Sequence, residues 1–536
     1  MTRGLIVNRD GTPMQRASVQ RAAPVTSYQA ADPMSHELAG WHPFLGSADA
    51  DLLPERVEIV ARIRDLVRNN GWASGVVRRE LDTVIGSGLR LSCKPDYRAL
   101  GLSAEWAAEW ANQVEGQHRL WADDPGRWCD ATRHYTLGGL VGLAYRHYVI
   151  DGDALAVLQW RPHAGPYATT VRVVDPDRLS NPHDVMDTDA LRAGVEFDEW
   201  DAATAYHIRK RHPADWTTAR RDDYAWERFP RETPWGRPVT VHFFDKERDE
   251  QSRGVGRLTP VLERLKMLDR YDKVELQAAV LNAILAAFIE SPFDHEMLGD
   301  ALEDGKLSGY QDLRAAFHDN RNITMGGVRL PTLFPGEKIG FHTATRPNQA
   351  FASFEAQALR NIAAGTGSSY EQISTDWSKT NYSSARAALL EVWKTMVSRR
   401  KAFATGFCSP IYVAWLEEAI DAGTVVLPPG APDFYEARAA YARCNWIGPP
   451  RGWVDPVKER QGALLGVAGG LSTLEDESAE QGKDYQETLA QLRIEISEMP
   501  PGVLHPAQAD FAKVMAGAAA ALGADDARQE QQQQQP

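Results

Sequence analysis

Between Leu53 and Val67 apolar residues recur at helical spacing, at Val57, Val60, Ile63, Leu66 and Val67. This predicts a helix that Asn70 and Gly71 end. A second helix is expected from Ser74 to Ile85, stopped by Gly86 and Gly88. Ser103 is placed to cap a third, Trp-rich helix over Ala104 to Trp121, with Glu105, Glu109 and Glu115 facing outward. Leu137 to Ile150 reads as a fourth. The pattern then changes. The Asp151-Gly152-Asp153 turn leads into a strand, Ala154 to Trp160. Further strands are predicted at Thr169 to Val174, Gly194 to Phe197, Ala205 to Arg209 and Val239 to Phe244 from their β-branched and aromatic content.

After Gly256 the helical period returns. Thr259 is placed as a cap and Pro260 suits a first turn. Apolar residues follow at Leu258, Val261, Leu262, Leu265, Leu268, Leu276, Val280, Leu281, Ile284, Leu285 and Phe288. That is a rod of roughly 30 residues, about 45 Å long, ended by Pro292. Residues 293–342 are mixed, with short strands near Ile323 and Val328 and a turn at Pro335-Gly336. Phe351 to Ala364 is helical, and Gly365-Thr366-Gly367-Ser368-Ser369 breaks it. A polar loop runs to Tyr382, and Ser383 caps a long helix through Ala402. Gly406 and Pro410 must kink that helix before it resumes through Ile420 and stops at Gly423. Ala/Glu/Gln-rich helices follow, then a low-complexity end, Gln531 to Gln535. The first fifty or so residues lack periodicity and read as a flexible arm. The fold class is α+β and helix-rich.

Composition changes this picture little. A chain of 536 residues, 43% hydrophobic and 25% charged, is an ordinary globular composition with room for several regions. The most apolar stretch, Ala278 to Ile289, is too short to span a bilayer. The N-terminus lacks the apolar core of a cleaved signal. Cys93, Cys129, Cys408 and Cys444 form no CxxC pair, and read as buried free thiols rather than zinc ligands or a disulfide framework.

Charge is more informative. The net charge is −14, which argues against tight, static binding of nucleic acid. From Gly470 onward there are twelve Asp/Glu and four Lys/Arg. From His207 to Arg257 there are twelve Lys/Arg and nine Asp/Glu, a mildly basic stretch. Within it His207 and His212 flank Ile-Arg-Lys-Arg, either a contact for nucleic acid or, as the preferred reading, a strand end with a solvated face.

Enzyme motifs are missing. The two Gly-Lys pairs, at Lys306 and Lys483, are not followed by Ser or Thr, so there is no Walker A loop. No zincin helix and no Gly-x-Ser-x-Gly elbow occur. The Gly365-Thr366-Gly367 run follows a helix rather than a strand, which favours a C-cap and hinge over a phosphate loop. The reading is therefore not an enzyme. A metal-dependent hydrolase assembled from distant residues stays as the rival.

Five segments carry a resemblance: AGVEFDEWDAATAYHI (193–208), VHFFDKERDEQSRGVGRLTPVL (241–262), LFPGEKIGF (333–341), IAAGTGSSYEQISTDWSKTNYSSARAALLEVW (362–393) and WVDPVKERQGALLGVAGGLSTLEDESAEQGKDY (453–485). Together, and in order, they resemble the lambda-type family of phage portal proteins. The resemblance spans roughly residues 55 to 498. It implies an arm over 1–52, a wing over 53–257, a first stem helix over 258–291, a clip over 292–345 and a second stem helix over 346–364. A tunnel loop over 365–382, a kinked wing helix over 383–423, a crown over 424–500 and a tail over 501–536 complete the order. Ser368 and Trp377 depart from the residues relatives often carry, so the loop tip is expected to differ in shape.

The same resemblance implies a homo-oligomeric ring of about twelve subunits at one capsid vertex, with double-stranded DNA in its channel. Expected partners are the terminase large subunit, head-completion and tail adaptor proteins, and the major capsid and scaffold proteins. No cofactor, metal or membrane is expected. The subunit would be made in the host cytoplasm and end in the virion. Candidate channel residues are Gly365 and Gly367 for mobility, and Ser368, Ser369, Gln372, Lys379 and Asn381 as sparse phosphate donors. Arg314, Arg321 and Arg329 are candidate clip contacts, or ordinary surface arginines. A shorter ring-forming head–tail adaptor is the other alternative.

Overall fold

The computed structural model describes residues 40–215, 225–285, 323–325, 328–330, 351–378, 382–452 and 456–500, with a few isolated positions outside these ranges. Helices α1 (Ala48–Asn69) and α2 (Gly71–Val84) open the described chain. Ser47 caps α1 by accepting from the Ala50 amide, and Asn70 caps α2 by accepting from Ala73. The expected start at Leu53 is thus too late, and the arm boundary at 52 falls inside a helix. Pro54 hid the first turn, which tertiary bonds secure: Asp49 accepts from the Ser252 amide at 2.9 Å, and Asp51 pairs with Arg248. Val57, expected on the apolar face, is 77% exposed, whereas Val60, Ile63 and Leu66 are buried.

Strand β1 (Arg90–Cys93), α3 (Ala104–Ala122) and α4 (Leu137–Asp151) follow. Ser103 caps α3 as expected. Glu115 does not face outward. It accepts from the Cys93 amide at 2.6 Å, and burial pushes its carboxyl up to about 7. Gly152, at φ +89°, ends α4 and turns the chain into β2 (Ala154–Trp160).

Antiparallel sheet β3-β2-β8 is built from β2, β3 (Thr169–Val174) and β8 (Thr240–Phe243). A second sheet runs β4 (Leu191–Arg192), β5 (Val195–Phe197), β6 (Ala203–Arg209) and β7 (Trp226–Pro230) in order. Strand β7 was not anticipated; its terminal Pro230 is tolerated because β7 is an edge strand. Leu155, Val157, Val174, Tyr206 and Ile208 form a small core shared by the two sheets.

The segment Gln251–Gly256 threads past the end of α4, where a Cβ on Gly254 would overlap the Gly152 carbonyl. A 3₁₀ turn, Thr259–Val261, then leads into α5 (Leu262–Leu285). Thr259 does not cap a helix; its hydroxyl donates to the Gly256 carbonyl, while Pro260 does occupy the first turn. Strands β9 (Ile323–Met325) and β10 (Val328–Leu330) pair as a hairpin, as expected near Ile323 and Val328. Helix α6 (Phe351–Thr366) runs back along α5. Tyr271 of α5 stacks on Phe351 at the start of α6, and Val261 meets Gly365 near its end.

After a short α7 (Tyr370–Ser374) comes α8 (Tyr382–Phe403). Ser383 lies inside α8 rather than at its cap. The expected kink is a π-helical turn, Ala404–Cys408, before α9 (Ser409–Asp421). Pro410 cannot donate an amide, and Gly406 lies so close to Phe243 that a Cβ would overlap the ring. Short α10 (Arg438–Tyr441) and β11 (Cys444–Ile447) follow, and β11 pairs with β1. Val425, Phe434 and Tyr441 are buried in the main core, so the expected crown boundary at 424 cuts a segment packed on the α+β body. Helices α11 (Pro456–Ala468), α12 (Leu474–Glu480) and α13 (Tyr485–Glu498) have no buried residues.

The main core gathers helices α1 to α10 and residues of β1, β2, β3 and β8 around an aromatic cluster. Trp415 stacks near Trp121 and Tyr412, with His118 edge-on 4.9 Å away. Cys93, Cys129 and Cys408 are buried free thiols, and Cys444 is half-buried.

Candidate functional site

The segment after α6 was expected to be an open polar loop starting at Gly365. Instead α6 continues to Thr366, whose hydroxyl donates to the Ile362 carbonyl at 2.9 Å. Gly365 is a helical residue held against Val261, so it supplies no hinge. The chain turns at Gly367, at φ +73°, and the Ser368 amide closes the turn on the Ala363 carbonyl. The two glycines therefore part company. Only Gly367 has the conformation that favours glycine.

Ser369 and Gln372 are partners rather than free donors. Ser369 accepts from the Gln372 amide at 3.2 Å and the Gln372 side chain accepts from the Ser369 amide at 3.3 Å, a capping box that starts α7. Both are half-buried, as is Ser368. Ile373 is buried in the main core and Tyr370 packs beside it. Thr375, at φ +55°, ends α7, and Ser378 donates to Asp376 in the next turn. Trp377 is 43% exposed. Lys379 and Asn381 lie outside the described residues.

A clamp that sequence reasoning missed holds this segment. Arg399 of α8 donates to the Thr366 carbonyl at 3.0 Å and to Glu80 of α2 at 3.1 Å. Glu80 also accepts from the Tyr145 hydroxyl at 3.0 Å. A Cβ on Gly367 would come 2.8 Å from the Arg399 guanidinium. No local pattern announces a contact between residues over 300 positions apart. The arginine's place on a predicted helix next to Arg400 was the only visible hint.

A second unforeseen element fixes the entry to α5. Asp153, fully buried, accepts from Arg56 at 2.9 Å and from Arg253 at 2.6 Å. Burial alone would raise its carboxyl; the two guanidinium groups overcome this and hold it well below the ordinary range. Arg253 also donates to the carbonyls of Pro176, Leu179 and Ala193. This one side chain ties the loops of both sheets to the segment that feeds α5.

Of the clip candidates, Arg314 and Arg321 lie outside the described residues. Arg329 stands in β10 opposite Thr324. The groupings with metal-ligand composition, His147–Asp151–Asp175 and Asp175–Asp177–His212, converge on the Arg64 guanidinium. Arg64 donates to Asp151, Asp177 and Asp175 at 2.8, 2.6 and 3.0 Å, so a side-chain cation already bridges the three carboxylates.

The site is thus an ordered turn at the foot of an antiparallel helix pair, with polar groups mostly spent on its own backbone. The family model for phage portal protein, lambda family, matches residues 35–400, and the chain belongs to that family. The chain is 36% identical over 479 residues to the portal protein of Escherichia phage N15, covering 88% of this chain and 89% of that protein. To portal protein B of Escherichia phage lambda it is 35% identical, with the same coverage. Among solved structures it is similar to a chain in the neck of an empty gene transfer agent particle computed with C6 symmetry. That match has a TM-score of 0.42 and 14% identity, and covers 80% of this chain and 94% of that one.

Proposed function

We propose that this chain is the repeating subunit of a ring at one capsid vertex, through which double-stranded DNA enters during packaging and leaves at ejection. The observation that carries the reading is apolar surface that the described residues leave exposed. On α5, Met267, Leu276 and Val280 are 53%, 67% and 54% exposed, and on the C-terminal helices Leu465 and Ile494 are 63% and 50% exposed. A neighbouring copy of the same chain is the occupant we assign to these faces, in a closed ring of about twelve.

In that ring the net charge of −14 per chain would sum to a field that keeps DNA off the walls. Contacts would be few and sequence-independent, from the Gly367 turn and the Lys379–Asn381 stretch. Such a conduit catalyses nothing and needs no cofactor. The energy would come from a terminase motor docked at the 292–345 region, later replaced by head-completion and tail proteins, with capsid and scaffold proteins around the wing. The subunit would be made in the host cytoplasm and incorporated in the virion. Among the described residues no helix is long and apolar enough to cross a membrane.

Native mass measurement of the purified full chain tests the assembly. Rings of about twelve copies are expected, and a monomer under all salt conditions would overturn the proposal. For the channel, Lys379→Ala in an assembling ring should reduce DNA packaging or retention. Unchanged values would remove Lys379 from the mechanism.

A further inference from the structure

The basic cluster at the end of β6 has a place in the fold that its sequence did not reveal. At the open end of the two-sheet sandwich lies a cavity of about 390 Å³, where Arg172, Arg178, Lys210 and Arg211 meet Gln159 and, among the described residues, one carboxylate, Glu227. The strand periods explain how these cations come together. Arg172 on β3 is paired with Val157 and is two residues from Val174, both core residues of the sandwich. Lys210 follows Tyr206 and Ile208 at the same spacing on the facing sheet. Side chains alternate along a strand, so Arg172 and Lys210 continue the inward faces of their strands. Cations replace apolar residues where the sandwich opens.

Local structure keeps the charges close. Arg178 donates to the Arg209 and Lys210 carbonyls at 2.7 and 3.0 Å, which fixes its guanidinium beside the two strand ends. Burial, and then the neighbouring charge of Arg172, lower the Arg178 guanidinium from its ordinary value; Asp175 opposes this and Arg211 adds to it. Asp175 is also bonded to Arg64 and does not line the cavity.

We propose that this cavity is a phosphate-binding site, occupied by a backbone phosphate of double-stranded DNA lying across the open end of the sandwich. The Arg172 guanidinium, the Lys210 ammonium and the Gln159 amide around one concave space, with the charge of Arg178 held close by its bonds to the two carbonyls, match a compact anion with several acceptor oxygens. An extended acidic peptide would instead need a groove with free backbone partners along a strand edge. The choice of DNA as carrier rests on the proposed conduit role; the phosphate chemistry of the cavity does not. The contact carries no sequence information.

The test uses the full-length chain and a 20-base-pair duplex, with binding followed by fluorescence anisotropy across a salt series. Arg172→Gln with Lys210→Gln should weaken binding about tenfold at low salt and make the salt dependence shallower by about one unit per lost phosphate contact. Lys210→Gln alone, at an exposed position, should show part of the effect with unchanged thermal stability. Inorganic phosphate should compete with the duplex for the wild type and lose that effect in the double variant. Unchanged affinity and salt slope would overturn the site while leaving the ring and packaging tests untouched. Self-association of the variants with unchanged DNA affinity would also overturn it, because the cations would then serve to guard the open sandwich against edge pairing. Tighter binding of polyglutamate than of duplex, lost in the same variants, would overturn the DNA assignment in favour of an acidic protein partner.

Discussion

The α+β body and the C-terminal helices are stabilised in opposite ways. In the body, Trp110, Trp415, Tyr145 and Tyr412 are fully buried, and even its charges are internal, as at Asp153. Helices α11 to α13 bury nothing completely. They are joined to the body by ion pairs: Lys94 with Glu475, and both Arg90 and Arg119 with Glu487. Burial is nearly indifferent to salt, whereas half-exposed ion pairs are screened by it. A subunit built this way has a body that is firm alone and a C-terminal region whose placement depends on charge and on what covers its apolar face.

The largest effect should come from the buried hub. Asp153→Ala leaves Arg56 and Arg253 unpaired inside the body and should cost about 3–5 kcal/mol. A shifted denaturant midpoint at constant slope would measure it; a cost under about 1 kcal/mol would mean the hub is not holding the sheets. Trp415→Ala opens a cavity in the aromatic cluster and should cost a similar or slightly smaller amount, about 3–4 kcal/mol. Neither substitution should alter how salt acts on the C-terminal helices.

Acid should distinguish the regions next. Burial, followed by the charge of Arg119, brings the His118 imidazole down to about 3. The folded state therefore keeps the ring neutral while the unfolded chain protonates it below its ordinary value of 6.5. The unfolded state binds the extra proton, so stability present above 6.5 is lost as the pH falls through this window, at up to about 1.4 kcal/mol per pH unit. Buried His242 acts in the same direction. Glu115, raised to about 7, opposes them between its ordinary value of 4.5 and 7. His118→Phe should flatten the acid limb of a stability–pH curve, and an unchanged limb would place the acid sensitivity elsewhere.

The smallest effect is expected at the C-terminal helices. Glu487→Gln should change the stability of the body by less than about 1 kcal/mol. Hydrogen exchange in α13 should nevertheless speed up, as it should in the unaltered chain when salt is raised from about 0.05 to 0.5 M. Equal salt response in the body and in α13 would erase the distinction between them.

Local elements were legible where the signal was local. Turn residues and β-branched and aromatic content placed β2 and β3 at their observed bounds, and Ser103 marked the start of α3. Gly423, at φ +70°, marks the end of α9 as expected. The candidate loop was legible only in outline. Gly365 and Gly367 look alike in sequence, yet one packs on Val261 and the other turns the chain beneath Arg399. Ser369 and Gln372 read as open donors in a loop, whereas the helix that forms there pairs them in a capping box.

The amino-acid sequence by itself determined the helix-rich α+β class, the positions of most helices and strands, the family resemblance and the acidic balance, because periodicity, caps and charge are properties of neighbours along the chain. Tertiary structure alone decided the pairing of β1 with β11, the Asp153 hub, the Arg399 clamp and the gathering of Arg172 with Lys210 at the mouth of the sandwich. Each of these joins residues tens to hundreds of positions apart. Their energies come from desolvation and geometry that exist only once the chain has closed on itself.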